Sequence, residues 1–374
     1  MKNYIYRCDL SKQYKLYKAE IDRKIADVLK KGVYTLGREV GFFEEEFSAY
    51  TGRSYGVSVA SGTDALILAL KVAGIKKGDG VITSTYAPVP VPTAVVLAGG
   101  VPVFADIEED TALIDPCSIE SRISDRVRFI LPVHIFGSVC SMNTIKRIAA
   151  RKRLILIEDA AQAHGSNLSG KKAGSFGMLS CFSFYPTKNL GGYGDGGIIL
   201  TDSRKTAKRL KLLRNYGKKY NPFNSESLGF NSRLDELQAA ILRVKLRHLD
   251  EMNDKRRALV ELYRKELQDT PLTFLKAYAG GEPNCHILTV LCATERDGLL
   301  KFLEAHNIQA NIYYPKPLHL MRAFRKYAGA REKFPVSEKM AKEAIALPLY
   351  PELGRKTVAF IAETIKKYFF NKGR

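Results

Sequence analysis

The stretch LILIEDAAQAHG, residues 154–165, runs from four consecutive aliphatics into two acids and then into small residues. A short, continuous apolar run that ends at a turn predicts a strand buried on both faces, as in a parallel sheet. In open α/β sheets, ligands sit beyond the carboxyl ends of the strands, and Asp159 falls at such an end. Gln162 follows three residues on. An acid after a strand also serves to cap the next helix, so the residues alone leave both roles open.

Six more β-branched runs flank this one: YGVSVA (55–60), GVITST (80–85), VPVFADI (101–107), VRFILPVH (127–134), LSCFSF (179–184) and GGIILTD (196–202). Helical patterns such as TDALILALKVAG (63–74) and MNTIKRIAARK (142–152) lie between several of them. This alternation predicts an α/β fold with a mostly parallel sheet covered by helices on both faces. From about residue 235 the texture changes. DELQAAILRVKLRHLDEMNDKRRALVELYRKEL (235–267) keeps helical spacing for a long stretch and leads toward a smaller C-terminal α+β unit. That unit contains the strand HILTVLC (286–292), the helix RDGLLKFLEAHNI (296–308) and the loop IYYPKPLHL (312–320). The expected division is a large domain over residues 1–250 and a small one over 251–374.

With 374 residues, 45% of them hydrophobic and 26% charged, the chain can bury a substantial core. No basic N-terminal segment leads into an apolar stretch, and no run is long enough to cross a bilayer. A cytoplasmic protein without membrane contact is expected. The six cysteines show no metal-ligand spacing and the six histidines no H-E-x-x-H pairing, so no metal is expected and the thiols are read as reduced and mostly buried. The formal charge of +20 raises the question of nucleic acid. Its densest run, SRKTAKRLKLLRNYGKKY (203–220), reads instead as an amphipathic helix with a solvated face, and no nucleic-acid partner is expected. Excess positive charge also suits a phosphorylated, anionic small ligand.

Two further strand ends carry chemistry. ASGTDALILAL (60–70) sets small residues at a strand-to-helix turn, where backbone N–H groups and the helix dipole can cradle a phosphate. Ser61 or Thr63 could equally be an ordinary N-cap there. SFYPTKNLGGYGDGG (183–197) places Lys188 between a short aromatic strand and five glycines. A phosphate cradle, a carboxylate and a lysine at three strand ends are the parts pyridoxal phosphate requires. The carboxylate matters because it favours the protonated pyridine ring, which then withdraws electrons from the substrate.

The segments SGTDALILAL, EDAAQAHGS, CFSFYPTKNLGGYGDGG, GFNSRLDELQAAILRVKL, IYYPKPLHL and ALPLYPEL occur in that order across nearly the whole chain. In these the sequence resembles the DegT/DnrJ/EryC1/StrS family of pyridoxal-phosphate-dependent sugar aminotransferases. The resemblance implies a fold-type-I transferase with a mainly parallel seven-stranded sheet and a smaller C-terminal domain. It implies that Lys188 is the Schiff-base lysine, that Asp159 pairs with the pyridine nitrogen and that Gln162 lies near the ring hydroxyl. Gly62, Thr63 and Ser183 would hold the phosphate, joined by Asn231 from a neighbouring subunit, which makes the active unit a homodimer. The implied reaction is ping-pong, with L-glutamate as donor, Lys188 as proton shuttle, pyridoxamine phosphate as the intermediate form of the cofactor, and a nucleotide-linked keto-sugar as acceptor. Such chemistry serves surface-glycan, O-antigen or natural-product biosynthesis.

The form PTKNLGGYGDGG is similar to members acting at carbon 3 of a dTDP-linked 3-keto-6-deoxy-hexose, whereas the 4-keto branch carries a TTGEGG-like end. On that basis Tyr185, Tyr314 and His319 would line the sugar side, although packed loop aromatics fit the same residues. One departure stands out. The position that usually stacks an aromatic on the cofactor ring aligns with Pro88, so either Tyr86, two residues early, reaches the ring through an altered loop or the stacking is lost. A sugar 3-dehydratase would carry histidine in place of Lys188, and a regulator that keeps the pocket without catalysis is a further class.

Overall fold

The computed structural model describes residues 4–218, 223–329 and 332–370. Seven strands form the central sheet: β1 (Tyr55–Val59), β2 (Gly80–Ser84), β3 (Val101–Ala105), β4 (Val127–Ile130), β5 (Ile155–Asp159), β8 (Leu179–Ser183) and β9 (Gly197–Thr201). The intervening β6 (Asn167–Leu168) and β7 (Lys171–Lys172) belong to a small side sheet. The order is β1-β9-β8-β5-β4-β2-β3, and every strand is parallel except β9, which runs against both its neighbours. This is the α/β fold with a mostly parallel seven-stranded sheet. The reversal of β9 has a local consequence. It sets Gly197, its first residue, opposite both Val59 and Ser183, the last residues of β1 and β8. A backbone start therefore sits among carboxyl ends, at the edge where ligands bind.

The helices follow from caps and apolar spacing. Asp9 caps α1 (Leu10–Lys31) by accepting from the Ser11 N–H at 3.1 Å, and Gly32 closes it in the left-handed region at φ 65°. Next comes α2 (Arg38–Thr51), closed in the same way by Gly52. Ser61 caps α3 (Gly62–Val72) by accepting from the Asp64 N–H at 3.1 Å, and Ala65 to Leu70 are all buried. The APVPVP run becomes the start of α4 (Pro90–Leu97), since a first helical turn has no use for the N–H groups that proline lacks.

Two apolar clusters organise the chain. The larger surrounds the seven-stranded sheet and includes Phe43, Phe47, Phe182 and Phe184, whose rings meet edge to face at 5.0–5.4 Å. The smaller packs an antiparallel sheet, β10 (Leu272–Phe274), β12 (Leu288–Cys292) and β13 (Ala344–Leu347), against helices Arg296–Ala305 and Arg355–Phe370. A two-residue strand, β11 (Gly281–Glu282), pairs with β6. The long helical pattern over 235–267 is two helices, Glu236–Leu246 and Leu249–Glu266, broken at Arg247 and His248. The second starts in the larger cluster with Met252 and finishes in the smaller one with Tyr263.

The basic run at 203–220 is helical only over Arg204–Leu213, where Ala207 and Leu210 are buried and the lysines face outward; residues 219 and 220 lie outside the described residues. Of the six thiols, Cys140, Cys181 and Cys292 are buried and Cys117 is exposed. Among the described residues, no helix is long and apolar enough to cross a membrane.

Candidate active site

A cavity of about 260 Å³ opens at the carboxyl edge of the central sheet, between α3, α4 and the glycine loop. Asp159, Lys188, Ser183, Gly62 and Thr63, five of the residues singled out in the sequence, line it together with Ser61, Ala161 and Asp195. Tyr185, half exposed, is at its rim. Pro88, Pro90 and Val91 supply an apolar wall.

Asp159 is buried at the end of β5 and accepts one hydrogen bond, from the Ala161 N–H at 3.0 Å. Burial pushes its carboxyl above the usual range, opposed by that hydrogen bond and by the charge of Lys188. Lys188 sits on a turn closed by its own N–H to the Tyr185 carbonyl, 2.9 Å. Its neighbour Asn189 is locked by donating to Asn253 Oδ1 (2.8 Å) and the Asn284 carbonyl (2.9 Å). Burial lowers the Lys188 amine to about 8, which Asp159 opposes and Arg7 reinforces.

The glycines act through proximity. None of Gly191, Gly192, Gly194, Gly196 and Gly197 takes a positive φ, so the loop does not need them for unusual backbone angles. A Cβ on Gly191 would lie 2.2 Å from the Pro186 carbonyl oxygen, and one on Gly197 would lie 2.4 Å from that of Ser61. Gly62 is equally constrained, with a Cβ falling 2.5 Å from Ser183 Cβ. These contacts bring the start of α3 against Ser183 and leave N–H groups and hydroxyls facing one small space. That donor set suits a phosphate.

Gln162 is buried, with Oε1 accepting from the Phe136 N–H at 2.7 Å and Nε2 donating to the Tyr314 hydroxyl at 3.1 Å. Phe136 holds a left-handed conformation, φ 58°, that turns this N–H toward Gln162. Gln162 and Tyr314 are thus joined, but neither lines the 260 Å³ cavity. Asn231 is exposed and also lies outside the lining.

Tyr86 and His319, the remaining candidates from the sequence, are held by other partners. Tyr86 is not among the residues lining the cavity. It is 1% exposed, and its hydroxyl donates to the Tyr313 carbonyl (2.5 Å) and accepts from the Tyr314 N–H (2.7 Å). It braces the 312–320 loop, and the prolines take the wall position. His319 is likewise a brace, buried between Thr85 Oγ1 (2.6 Å) and Glu338 Oε1 (3.3 Å), away from the lining. The sequence reading also passed over Asp195 and the buried His164, whose ring is pushed down to about 3 by burial and by the charge of Lys188. An acid inside the glycine run, D in GYGDGG, was the available signal for Asp195.

An amine, a buried carboxylate and a phosphate-sized cradle on one α/β edge match the three handles of pyridoxal phosphate. Comparison with known proteins agrees. Residues 15–366 match the DegT/DnrJ/EryC1/StrS aminotransferase family. A "pleiotropic regulatory protein" of Geobacillus stearothermophilus is 38% identical, over 96% of this chain and 97% of that one. The dTDP-3-amino-3,4,6-trideoxy-alpha-D-glucose transaminase of Streptomyces venezuelae is 39% identical over 96% and 95%. The crystal structure of S. venezuelae DesV in complex with a ketimine intermediate superposes with a TM-score of 0.95, at 38% identity, over 98% of both chains. The chain belongs to the DegT/DnrJ/EryC1/StrS family and is a pyridoxal-phosphate-dependent nucleotide-sugar aminotransferase.

Proposed function

We propose that the protein moves the amino group of L-glutamate onto a dTDP-linked 3-keto-6-deoxy sugar, through two half-reactions in the cavity at the end of β5. The observation that carries this reading is the sharing of one cavity by Lys188 and Asp159 beside the start of α3. The 39% identity to a transaminase of a dTDP-3-amino sugar supports carbon 3 and the dTDP carrier.

Pyridoxal phosphate, when bound, supplies an electrophilic carbonyl and an electron sink. Gly62 and Thr63 at the start of α3 would hold its phosphate with Ser183, through N–H groups, hydroxyls and the helix dipole. The Asp159 carboxylate would lie at the ring nitrogen and favour its protonated form. Gln162, fixed by Phe136 and Tyr314, would contact the ring hydroxyl. Lys188 would hold the cofactor covalently and, once released, carry a proton to and from the reacting carbon. With its amine at about 8, about a tenth is neutral at pH 7, where a free lysine is almost wholly charged. Tyr185, exposed at the rim, would meet the sugar. Asn231, which is exposed, would reach the phosphate held by a second copy of the chain, and the working unit would then be a homodimer.

The test uses the cofactor's own absorbance. L-glutamate should bleach the yellow holoprotein, and a dTDP-linked 3-keto sugar should restore the colour while a 4-keto isomer does not. Restoration by the 4-keto isomer alone would move the reading to the other branch. A protein that stays colourless with pyridoxal phosphate would contradict the assignment of Lys188.

A further inference from the structure

An amino-acid donor brings a carboxylate as well as an amine, and nothing in the cavity lining pairs with it: the charged groups there are Asp159, Lys188 and Asp195. Among the described residues beyond the lining, Arg7 is the cation whose charge acts on the Lys188 amine. The segment carrying it is firmly placed. The Ile5 N–H donates to the Asn307 carbonyl (2.8 Å), the Gln309 N–H to the Ile5 carbonyl (2.9 Å), and the Leu349 N–H to the Arg7 carbonyl (3.1 Å). The Arg7 N–H donates to Gln309 Oε1 at 3.0 Å.

From this anchor the guanidinium lies over the Tyr313 ring, 5.2 Å from its centroid. Tyr313 leads to Tyr314, and Tyr314 to Gln162 through a 3.1 Å hydrogen bond, so a chain of contacts joins Arg7 to Gln162. Among the described residues, no carboxylate is within ion-pairing distance of Arg7 and its guanidinium makes no hydrogen bond. Other arginines of the core contrast with it: Arg214 pairs with Glu44, and Arg243 with Glu39 and Glu46. A half-buried guanidinium close enough to depress a lysine, and lacking a counter-ion, is electrostatically unfavourable until an anion arrives. With one cation–π contact and no hydrogen bond among the described residues, its N–H groups are available for a two-pronged grip on a carboxylate.

We infer that Arg7 binds the α-carboxylate of the amino-acid donor and is a specificity-determining residue of the first half-reaction. The inference rests on the aminotransferase reading of Lys188. A carboxylate could also belong to an acidic sugar acceptor, and separate measurement of the two half-reactions distinguishes the sources.

The experiment compares holoprotein carrying Arg7→Gln or Arg7→Lys with the wild type. Arg7→Gln should raise the KM for L-glutamate by about 10- to 100-fold with little change in the maximal rate, the size expected for losing a charge-assisted hydrogen-bonded pair. Arg7→Lys should recover part of the loss, because it restores the charge without the fork. Binding of glutarate, an unreactive dicarboxylate, measured by calorimetry, should weaken in parallel with KM. Restoration of the yellow colour by the keto-sugar, starting from the aminated cofactor, should be unchanged. The assignment is overturned if KM for glutamate and glutarate binding stay put. It is overturned if both half-reactions fall alike, which marks a folding role, or if only the sugar step slows. A wild-type protein that L-glutamate never bleaches overturns the aminotransferase reading as well, which an effect confined to the variants does not touch.

Discussion

β5 ends in two adjacent acids that point to opposite faces of the sheet and meet opposite fates. Glu158, with no exposed surface, accepts from the N–H groups of Gly174 (2.9 Å), Phe176 (2.7 Å) and Gly177 (2.6 Å), and from His134 Nε2 (3.1 Å). Burial works against its charge, but these donors win and hold its carboxyl below the usual range. Asp159 has one N–H donor, so burial wins and its carboxyl is raised. One carboxylate is consumed in tying down the 174–177 loop; the other keeps its remaining capacity for whatever enters the cavity.

The buried lysines repeat the contrast. Burial lowers both Lys188 and Lys245 to about 8. Lys245 donates to the Gly191 carbonyl at 2.7 Å and stands over the Tyr193 ring, bracing the glycine loop from behind. The Lys188 amine lines the cavity, and among the described residues it makes no hydrogen bond. Depressed pKa alone therefore does not mark a reactive lysine. Access and unused hydrogen-bonding capacity do.

The sharpest way to break this contrast is to exchange the members of each pair. Lys188→Ala should slow the glutamate half-reaction by at least roughly 10³-fold, combining the lost covalent tether with the lost proton carrier. Lys245→Met should leave the chemical step largely intact and cost about 1–3 kcal/mol of stability, because it strands the Gly191 carbonyl. Stopped-flow absorbance and urea unfolding separate the two outcomes. Asp159→Asn should lower the half-reaction rate by roughly 10²-fold with modest change in stability, whereas Glu158→Gln should cost about 2–4 kcal/mol in unfolding by leaving buried donors mismatched. Equal rate losses at the two positions would erase the distinction.

A pH experiment sharpens it further. In the cofactor-free protein, a lysine with folded pKa of about 8 binds fewer protons than the same lysine unfolded, near 10.5. Its penalty to stability is full below pH 8 and fades as pH rises toward 10.5. Lys188→Met should therefore stabilise the cofactor-free fold at pH 7, with the gain shrinking at alkaline pH. The wild type should also capture pyridoxal phosphate faster as pH rises through about 8. The smallest effects belong to tight packing and braces. Gly62→Ala should weaken cofactor retention by roughly tenfold, since its methyl group collides with Ser183. Tyr86→Phe should cost about 1–2 kcal/mol in unfolding and leave the holoprotein spectrum unchanged.

The seven strands were legible because each buried strand is a short apolar run that ends in turn chemistry. Lys188, Asp159, Gly62, Thr63 and Ser183 were legible as a set because each sits at the end or start of such a run, and the sheet brings those ends to one edge. Other features depend on contacts that sequence order does not reveal. Tyr86 and His319 carry the right chemistry for a site, and partners more than 200 residues away, which the sequence does not announce, fix both. The prolines of 87–92 obscured α4, because proline signals a break inside a helix and a favourable start at its first turn. The glycine run is plain in the sequence, but its use, close approach of main chains without positive φ, shows only in the fold. Arg7 gave no signal at all, since only the docking of residues 4–9 on the C-terminal unit carries it toward Lys188.

Borohydride reduction of the protein loaded with pyridoxal phosphate, followed by peptide mapping, decides whether position 188 is the reactive amine. The expected result is a single pyridoxyl group on Lys188, retained in Lys245→Met. A label on Lys245, a label scattered over surface lysines, or none at all would contradict it.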